Sequence, residues 1–592
     1  MMAFLRWSRS LLVGTLNGIA KFVLLLVLLF IALVLVGWAI GDGLPGNMVL
    51  ALDLRTSIPD SNNGPALAFV SRPVTVVDTV LALDHAEHDA RVKGVVLRVG
   101  SGGLSIAQAE EIGAALKHFR KSGKFVIAQA TGFFGAGLGD YLTAAAADQI
   151  WMQPKSPFSA SGAGGAEIFL RGLFDKIKAE PQIAKRLEYK SAADMYMEKT
   201  MSAADHEQLT AIMQSWYDAA TSAVAADRKL DKKAVAADFE ASPQFTEDVR
   251  REGLIDRVGY DDDALNAAIG RAGAGAKRVS MASYIKALRE DEVYQDNSHI
   301  ALIEAAGEIQ DGSAGGGLFQ TASVIASDDL SRAIRQATKD KDIKAIVLRV
   351  DSPGGSVSAS DQILDAVKKA QRAGKIVVIS MGGVAASGGY YISTSANRIV
   401  AEPATLTGSI GVLTGKVSIG QSLGLIGITA SEVSIGKNTL MDSTISPYTP
   451  DQWAALNHEA DVIYDDFTRK VAAGRKLPLA TVQAIARGRV WSGADASHIG
   501  LVDRLGGFRT AYELAGKLAK LPVEEPLTFK LFPRRKGFLA SVGQVLGESS
   551  ASLRALEGLS TLANNPLVQT VIHTSAEMPR GGVELRAVNL PQ

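Results

Sequence analysis

A chain of 592 residues carrying 62 Lys plus Arg and 62 Asp plus Glu has no formal net charge, so no global field draws it to nucleic acid. It contains no cysteine, which excludes disulfides, thiolate nucleophiles and Cys-based metal sites. The length prior of about four domains of roughly 150 residues each gives way to two larger units, because the sequence repeats itself.

The first expected element is a membrane anchor. Phe22 to Ile40 is an unbroken apolar run, long enough at about 1.5 Å per residue to cross a hydrocarbon core of about 30 Å. It exceeds the usual signal-peptide core of about 7 to 15 residues and no small-x-small site follows it, so an uncleaved transmembrane helix over 22–40 is expected. Arg6, Arg9 and Lys21 precede the run, whereas Asp42 and Asp53 follow it. That asymmetry keeps residues 1–21 cytoplasmic and puts the large remainder outside, in the periplasm of a Gram-negative cell.

Beyond the anchor, Val96-Leu97-Arg98-Val99 recurs as Val347-Leu348-Arg349-Val350, and Gly253-Leu254-Ile255-Asp256-Arg257-Val258-Gly259 recurs as Gly500-Leu501-Val502-Asp503-Arg504-Leu505-Gly506. Both spacings are close to 250 residues, so two long segments run in parallel with few net gaps. The expected organisation is an N-terminal repeat over 41–272, a charged, Ala-rich linker over 273–298, a C-terminal repeat over 299–523, and a tail over 524–592 that matches neither copy. Each copy alternates apolar strands with amphipathic helices, which predicts an α/β fold with a mostly parallel sheet.

In the first copy a helix through Ile112 and Leu116 stops at Gly123, and a strand follows over Lys124 to Ala128. In the second, Ile343 to Val350 reads as a buried strand ended by the turn Asp351-Ser352-Pro353-Gly354-Gly355. Ser358 or Ser360 is expected to cap the next helix, whose Ile363, Leu364 and Val367 share a face and which Gly374 ends. Lys375 to Ser380 is the next strand, and it leads into a glycine-rich turn.

That turn carries the chemistry. Thr131 to Gly139 aligns with Met381 to Gly389, and Ser387 falls where the first copy has Gly137. A nucleophilic hydroxyl needs a sharp strand-to-helix turn, small neighbours and backbone N–H groups aimed at the developing oxyanion. Ala385-Ala386-Ser387-Gly388-Gly389 supplies those residue types, with Gly388 and the Pro353-Gly354-Gly355 turn as candidate donors. The eight histidines are scattered and none lies beside Ser387 in sequence, so a Ser-His-Asp triad is unsupported. A buried lysine is the other established base, since burial disfavours its charge. Lys190, in Glu188-Tyr189-Lys190-Ser191-Ala192, is a candidate.

Asp351-Ser352-Pro353-Gly354-Gly355, Ala386-Ser387-Gly388-Gly389-Tyr390, Thr407-Gly408-Ser409-Ile410-Gly411-Val412 and Tyr189-Lys190-Ser191-Ala192 together resemble the motifs of serine peptidase family S49, in its long, tandem-repeat signal peptide peptidase A group. The resemblance spans roughly residues 20–520. It implies two tandem Clp-protease/crotonase-like repeats of ββα units. It further implies a Ser/Lys dyad with Ser387 as nucleophile, Lys190 as general base and Ser409 orienting the lysine, and it puts Gly354, Gly355 and Gly388 at the oxyanion hole. Lys437 is a rival base, because the repeat spacing carries Lys190 onto it and short members of the family place the base about that far after the nucleophile. The Tyr-Lys-Ser-Ala context favours Lys190.

The same resemblance implies peptide substrates, chiefly remnant signal peptides at the membrane, and a bowl-shaped homotetramer. No metal, cofactor or nucleic acid is expected; no HExxH, P-loop or GxGxxG pattern occurs. Two other readings share the features seen so far: a crotonase-type acyl-CoA enzyme, and a catalytically idle membrane scaffold.

Overall fold

The computed structural model describes residues 43–61, 73–135, 137–288, 297–313, 324–522, 526–533 and 584–586. The expected anchor over 22–40 and the segment before it lie outside this set, as does most of the tail. Among the described residues no helix is long and apolar enough to cross a membrane.

In the N-terminal half, four parallel strands form the centre of a sheet: β1 (Met48–Asp53), β2 (Val92–Val99), β3 (Phe125–Ala130) and β4 (Gln149–Met152). Their continuous apolar runs are those of strands covered on both faces, and β3 is buried along its whole length. The helix Ile106–Lys121 that links β2 to β3 opens on a capping box, in which Ser105 accepts from the Gln108 N–H and the Gln108 side chain accepts from the Ser105 N–H. It buries Ile112, Leu116 and Phe119 on one face and ends in His118, Arg120 and Lys121. Lys277–Ser280, inside the expected linker, adds an outer strand beside β1. Another strand of this half, β5 (Glu180–Arg186), leaves the sheet altogether.

The C-terminal half repeats the order. Strands β6 (Ile300–Ala306), β7 (Glu308–Gln310), β8 (Ala345–Ser352), β9 (Gly354–Ser356), β10 (Ile376–Ala386), β11 (Leu406–Gly408) and β12 (Val412–Ser418) follow in sequence. β6, β8, β10 and β11 are parallel neighbours in one sheet, with Lys530–Phe532 from the tail at its β6 edge.

Three sequence expectations need correction. The run Asp351–Gly355, expected as a turn, is largely extended, since β8 continues to Ser352 and β9 starts at Gly354. The helix Val357–Arg372 is capped by Ser356, whose hydroxyl accepts from the Ala359 N–H, and not by Ser358 or Ser360. Ser358 instead donates to Asp311 at 2.7 Å, and Ser360 bonds back to the Ser356 carbonyl at 2.7 Å. The strand expected over Lys375 to Ser380 runs on to Ala386. A bulge makes this possible: the β8·β10 register shifts between Val350 and Ser352, and the Asp351 carboxylate accepts the Val384 N–H at 3.0 Å. Gly382 has to be glycine there, because a Cβ would stand 2.9 Å from oxygens of both Asp351 and Asp60.

A second sheet of six strands joins the two halves, in the order Val324–Ala326, β7, β9, β13 (Glu584–Arg586), β12, β5. β5 runs antiparallel to β12, with Arg186 opposite Val412 and Glu180 opposite Ser418. The halves also share one core: Leu81, Val95 and Ile112 pack in the same apolar cluster as Leu302, Val347 and Phe508. A domain built this way holds residues from distant parts of the chain in fixed relation.

Candidate active site

β10 ends at Ala386 and the helix Gly388–Ser393 begins two residues later, so Ser387 turns the chain alone, at φ 56° and ψ −114°. Such a conformation is strained by about 1–3 kcal/mol for a residue with a Cβ and persists only where its surroundings hold it. Here the Ser387 N–H donates to the Gly408 carbonyl at 2.8 Å, and its own carbonyl accepts from the Tyr391 N–H at 2.8 Å. The first copy also has a positive φ at this position, 51° at Gly137, but its ψ is −1° where Ser387 has −114°, so neither the hydroxyl nor the full turn geometry is repeated.

Three glycines close around the turn. A Cβ on Gly388 would stand 3.1 Å from Gly354 Cα and 3.2 Å from Gly355 N, so the two glycine turns touch. Gly355, at φ 148°, leaves no room for a side chain, since its Cβ would lie 2.1 Å from the Ile309 carbonyl oxygen. Gly354, Gly355 and Gly388 are thus brought together beside Ser387.

Lys190 arrives from the other half of the chain. β5 pairs with β12, the Leu187 and Tyr189 N–H groups both donate to the Arg487 carbonyl at 3.2 Å, and the next side chain enters the site. Its Nζ lies 2.8 Å from Ser387 Oγ, 2.9 Å from Ser409 Oγ and 3.1 Å from the Ser409 carbonyl. Lys190 is 1% exposed, and Ser387 and Ser409 are 0% exposed. Burial pushes the lysine well below its ordinary range, and among the described residues no carboxylate pairs with it. The three contacts match in number what a neutral amine offers, two N–H donors and one lone pair.

Lys437 sits elsewhere. It is on the surface, 72% exposed, and pairs with Asp451 at 2.6 Å. Among the described residues no histidine hydrogen-bonds Ser387, whose side-chain partner is Lys190. Nor is any group of acidic or histidine side chains among them arranged to hold a metal ion.

Two residues that position Lys190 were not singled out in the sequence. Gly488, at φ 81°, lies so close that its Cβ would meet Lys190 Cβ at 2.6 Å. The buried Gln208 donates to the Tyr189 carbonyl at 3.1 Å and to Ser191 Oγ at 2.9 Å, and accepts the Val490 N–H at 3.2 Å. An isolated Gly between two arginines and a mid-helix Gln carry no local signal; each acts across the joint between the halves.

The chain matches Peptidase family S49 over residues 118–274 and 369–522. A protein named Protease 4 from Salmonella typhi is 31% identical over 625 aligned positions, covering 100% of this chain and 96% of its own. Serine protease SPPA, chloroplastic, of Arabidopsis thaliana is 30% identical, covering 86% of this chain and 75% of its own. A putative signal peptide peptidase SppA of Enterococcus faecium is 30% identical over 33% of this chain and 57% of its own. Among solved structures, ClpP1 from Listeria monocytogenes overlaps 35% of this chain and 92% of its own, with 16% identity and a TM-score of 0.21. With the family match falling on both halves and a relative aligned along the whole chain, the protein belongs to peptidase family S49 and is a serine peptidase.

Proposed function

We propose that the chain is an endopeptidase that works through a Ser387/Lys190 dyad and degrades apolar peptides at a membrane, chiefly signal peptides left after secretion. The observation that carries this reading is the 2.8 Å contact between a buried amine and a buried hydroxyl, with no carboxylate among the described residues to hold a charge on the amine. Neutral Lys190 accepts the Ser387 proton as the oxygen attacks a peptide carbonyl. The oxyanion is received by N–H groups of Gly388 and of the Gly354-Gly355 turn. The ammonium that forms is held by both oxygens of Ser409 and passes its proton to the leaving amine; water, deprotonated by the same lysine, then releases the acyl group.

Several features support the finer parts of the reading. The apolar segment 22–40 suits a single-pass inner-membrane anchor with the catalytic part in the periplasm, which keeps the site near such substrates. The repeated strand–helix order suits a Clp/crotonase-type pair of units. Assembly as a homotetramer is supported by what the repeat leaves over. Within one chain β5 of the first half pairs with β12 of the second, but the corresponding segments, near 428–434 in the second half and 163–169 in the first, carry no strand. Val433 and Ile435 are 91% and 97% exposed. The same pairing made between successive copies closes a ring. Replacing Val433 and Ile435 by Glu is expected to convert the oligomer to monomers in sedimentation; an unchanged particle mass would remove this support.

The dyad is tested with the detergent-solubilised full chain and a fluorogenic apolar peptide. Ser387→Ala and Lys190→Ala are each expected to lower kcat at least about 10³-fold, with Lys437→Ala within about twofold of the parent. Near-normal turnover in Lys190→Ala together with loss in Lys437→Ala would reverse the assignment of the base.

A further inference from the structure

The parallel sheet of the C-terminal half carries a cleft of about 440 Å³ at the end remote from Ser387, with Lys368, Arg398, Lys470, Arg475, Lys476 and Asp503 in its lining. Arg398 opens the strand Arg398–Ala401, which is parallel to β10 and pairs there with Val378. Ser387 follows the other end of β10, about 30 Å from Val378 at about 3.3 Å per residue. The cleft is therefore separate from the catalytic turn. Five cations meet one carboxylate in its walls. Arg475 is held by Asp503 at 2.9 Å, and Lys470 by Asp361 at 2.6 Å and Asp466 at 2.7 Å. Lys368 feels the charge of Asp361, but among the described residues neither it, Arg398 nor Lys476 forms an ion pair.

The first copy shows the same place closed. There Lys117, at the position of Lys368, pairs with Asp227 at 3.0 Å, and Arg120, at that of Gln371, pairs with Asp148 at 2.7 Å. Shared bonds fix the correspondence. Asp148 accepts the Val126 N–H and Asn397 accepts the Val377 N–H, both at 2.8 Å. Arg228 and Arg475 donate to the Gly253 and Gly500 carbonyls, both at 3.2 Å. The helices Ala203–Arg228 and Pro450–Arg475 each end on a left-handed lysine, Lys229 and Lys476. In the second copy Asn397 stands for Asp148 and Gly474 for Asp227, so both acids are gone. One cation is lost with Gln371, and two are gained, Arg398 for Gln149 and Lys470 for Ala223. Ser395, where the first copy has Ala146, adds a hydroxyl with no hydrogen-bond partner among the described residues.

A cleft lined by one sign of charge concentrates the opposite ion, and guanidinium, ammonium and amide N–H groups are the donor set that phosphate oxygens accept from. Asn397 gives its oxygen to Val377 and Gln371, which leaves its amide nitrogen as a donor. Ala396 and Ala473 are the apolar side chains of the lining, so a nucleobase finds no ring to stack on. We propose that this cleft binds a phosphate group carried on a small polar body, a glycerophosphate, either free or as the headgroup of an acidic phospholipid.

The test uses the detergent-solubilised full chain at fixed ionic strength, titrated by calorimetry with sn-glycerol 3-phosphate and, separately, with dihexanoyl phosphatidylglycerol. Zwitterionic dihexanoyl phosphatidylcholine controls for partition into the micelle. Saturable binding is expected for at least one phosphate probe: the free compound marks a soluble ligand, and the acidic lipid alone marks a headgroup. Asn397→Asp restores the first copy's carboxylate and keeps the acceptor for Val377; it and Arg398→Gln are each expected to weaken binding about tenfold. Lys229→Gln, in the first copy, is expected to leave it unchanged. Peptide turnover in both cleft variants is expected to stay within about twofold of the parent, since neither residue touches the catalytic turn. No saturable binding of either phosphate probe to the parent, or equal affinity in the parent and both cleft variants, would overturn the proposal.

Discussion

A protonated lysine offers three donors and no acceptor, whereas a neutral one keeps a lone pair, and the site around Lys190 distinguishes the two through its stability as well as its activity. Burial pushes the Lys190 amine well down, so between its folded value and the ordinary lysine range near 10.4 the unfolded chain holds a proton that the folded chain does not. Stability contributed at this position therefore rises with pH across that window. Lys190→Met, which cannot titrate, lacks this slope: urea unfolding of the parent is expected to gain on the variant steadily from neutral pH towards pH 10. Parallel curves would mean that the amine is charged in the fold. Activity carries the same sign, with kcat/KM falling on the acid side as the amine is protonated. The Ser387 turn was legible in the sequence because its causes are local: an apolar strand, small residues, and a serine where the other copy has glycine. Lys190 became visible through motif resemblance, since a lysine among small residues is otherwise ordinary. Gln208 was not visible, because its bond to Val490 spans 282 positions.

At the level of elements, the strands and helices were legible as types and their ends were not. β10 passes beyond its expected end because Asp351, on a neighbouring strand, supplies an acceptor for Val384. No periodicity within residues 375–386 carries that fact. The turn Arg487-Gly488-Arg489 shows the same limit: it bonds Leu187 and Tyr189 through the Arg487 carbonyl and leaves room for Lys190 by having no side chain at Gly488. Gly488→Ala places a Cβ at a positive φ and against Lys190 Cβ, so the lysine loop has to move. Because a misplacement of about 1 Å in a catalytic group costs on the order of 10²-fold in rate, kcat is expected to fall by about that factor, while Tm falls only by several degrees. Retained kcat in a folded Gly488→Ala protein would show that the loop tolerates displacement. Gly424→Ala serves as the control, since a Cβ there meets nothing within 4 Å.

At the level of the whole molecule, the cluster of Lys190, Ser387 and Ser409 exists only while the two halves stay registered, and the joint between them is ionic where it reaches β8 and β10. Arg349 of β8, 1% exposed, binds Asp60 at 2.9 Å and Glu111 at 2.7 Å, both from the first half. Burial alone would weaken its charge, but those two carboxylates hold it protonated. Further acids crowd the same joint. Burial pushes Glu110 up to about 8; its carboxylate accepts the Ala404 N–H at 2.8 Å, just ahead of β11. Burial and the charges of Glu110 and Glu111 push Glu402 well up, and burial with the charge of Asp60 pushes Asp351 up to about 7. For Glu110 the folded chain binds its proton more tightly than the unfolded chain, so the stability it contributes is complete below about pH 4.5 and is lost as pH rises through about 8. Glu110→Gln keeps the acceptor for Ala404 and cannot ionise. Its unfolding free energy is expected to improve relative to the parent between pH 5 and pH 9 by on the order of a few kcal/mol, with Glu111, Glu402, Arg349 and Lys117 left in place. A pH-independent difference would assign the excess proton to another member of the cluster. The consequence reaches catalysis, because Glu110 and Asp351 brace the strands leading to Ser409 and Ser387. The parent's activity should therefore pass through a maximum, limited on the acid side by protonation of Lys190 and on the alkaline side by charging of the joint, and Glu110→Gln should move only the alkaline limb.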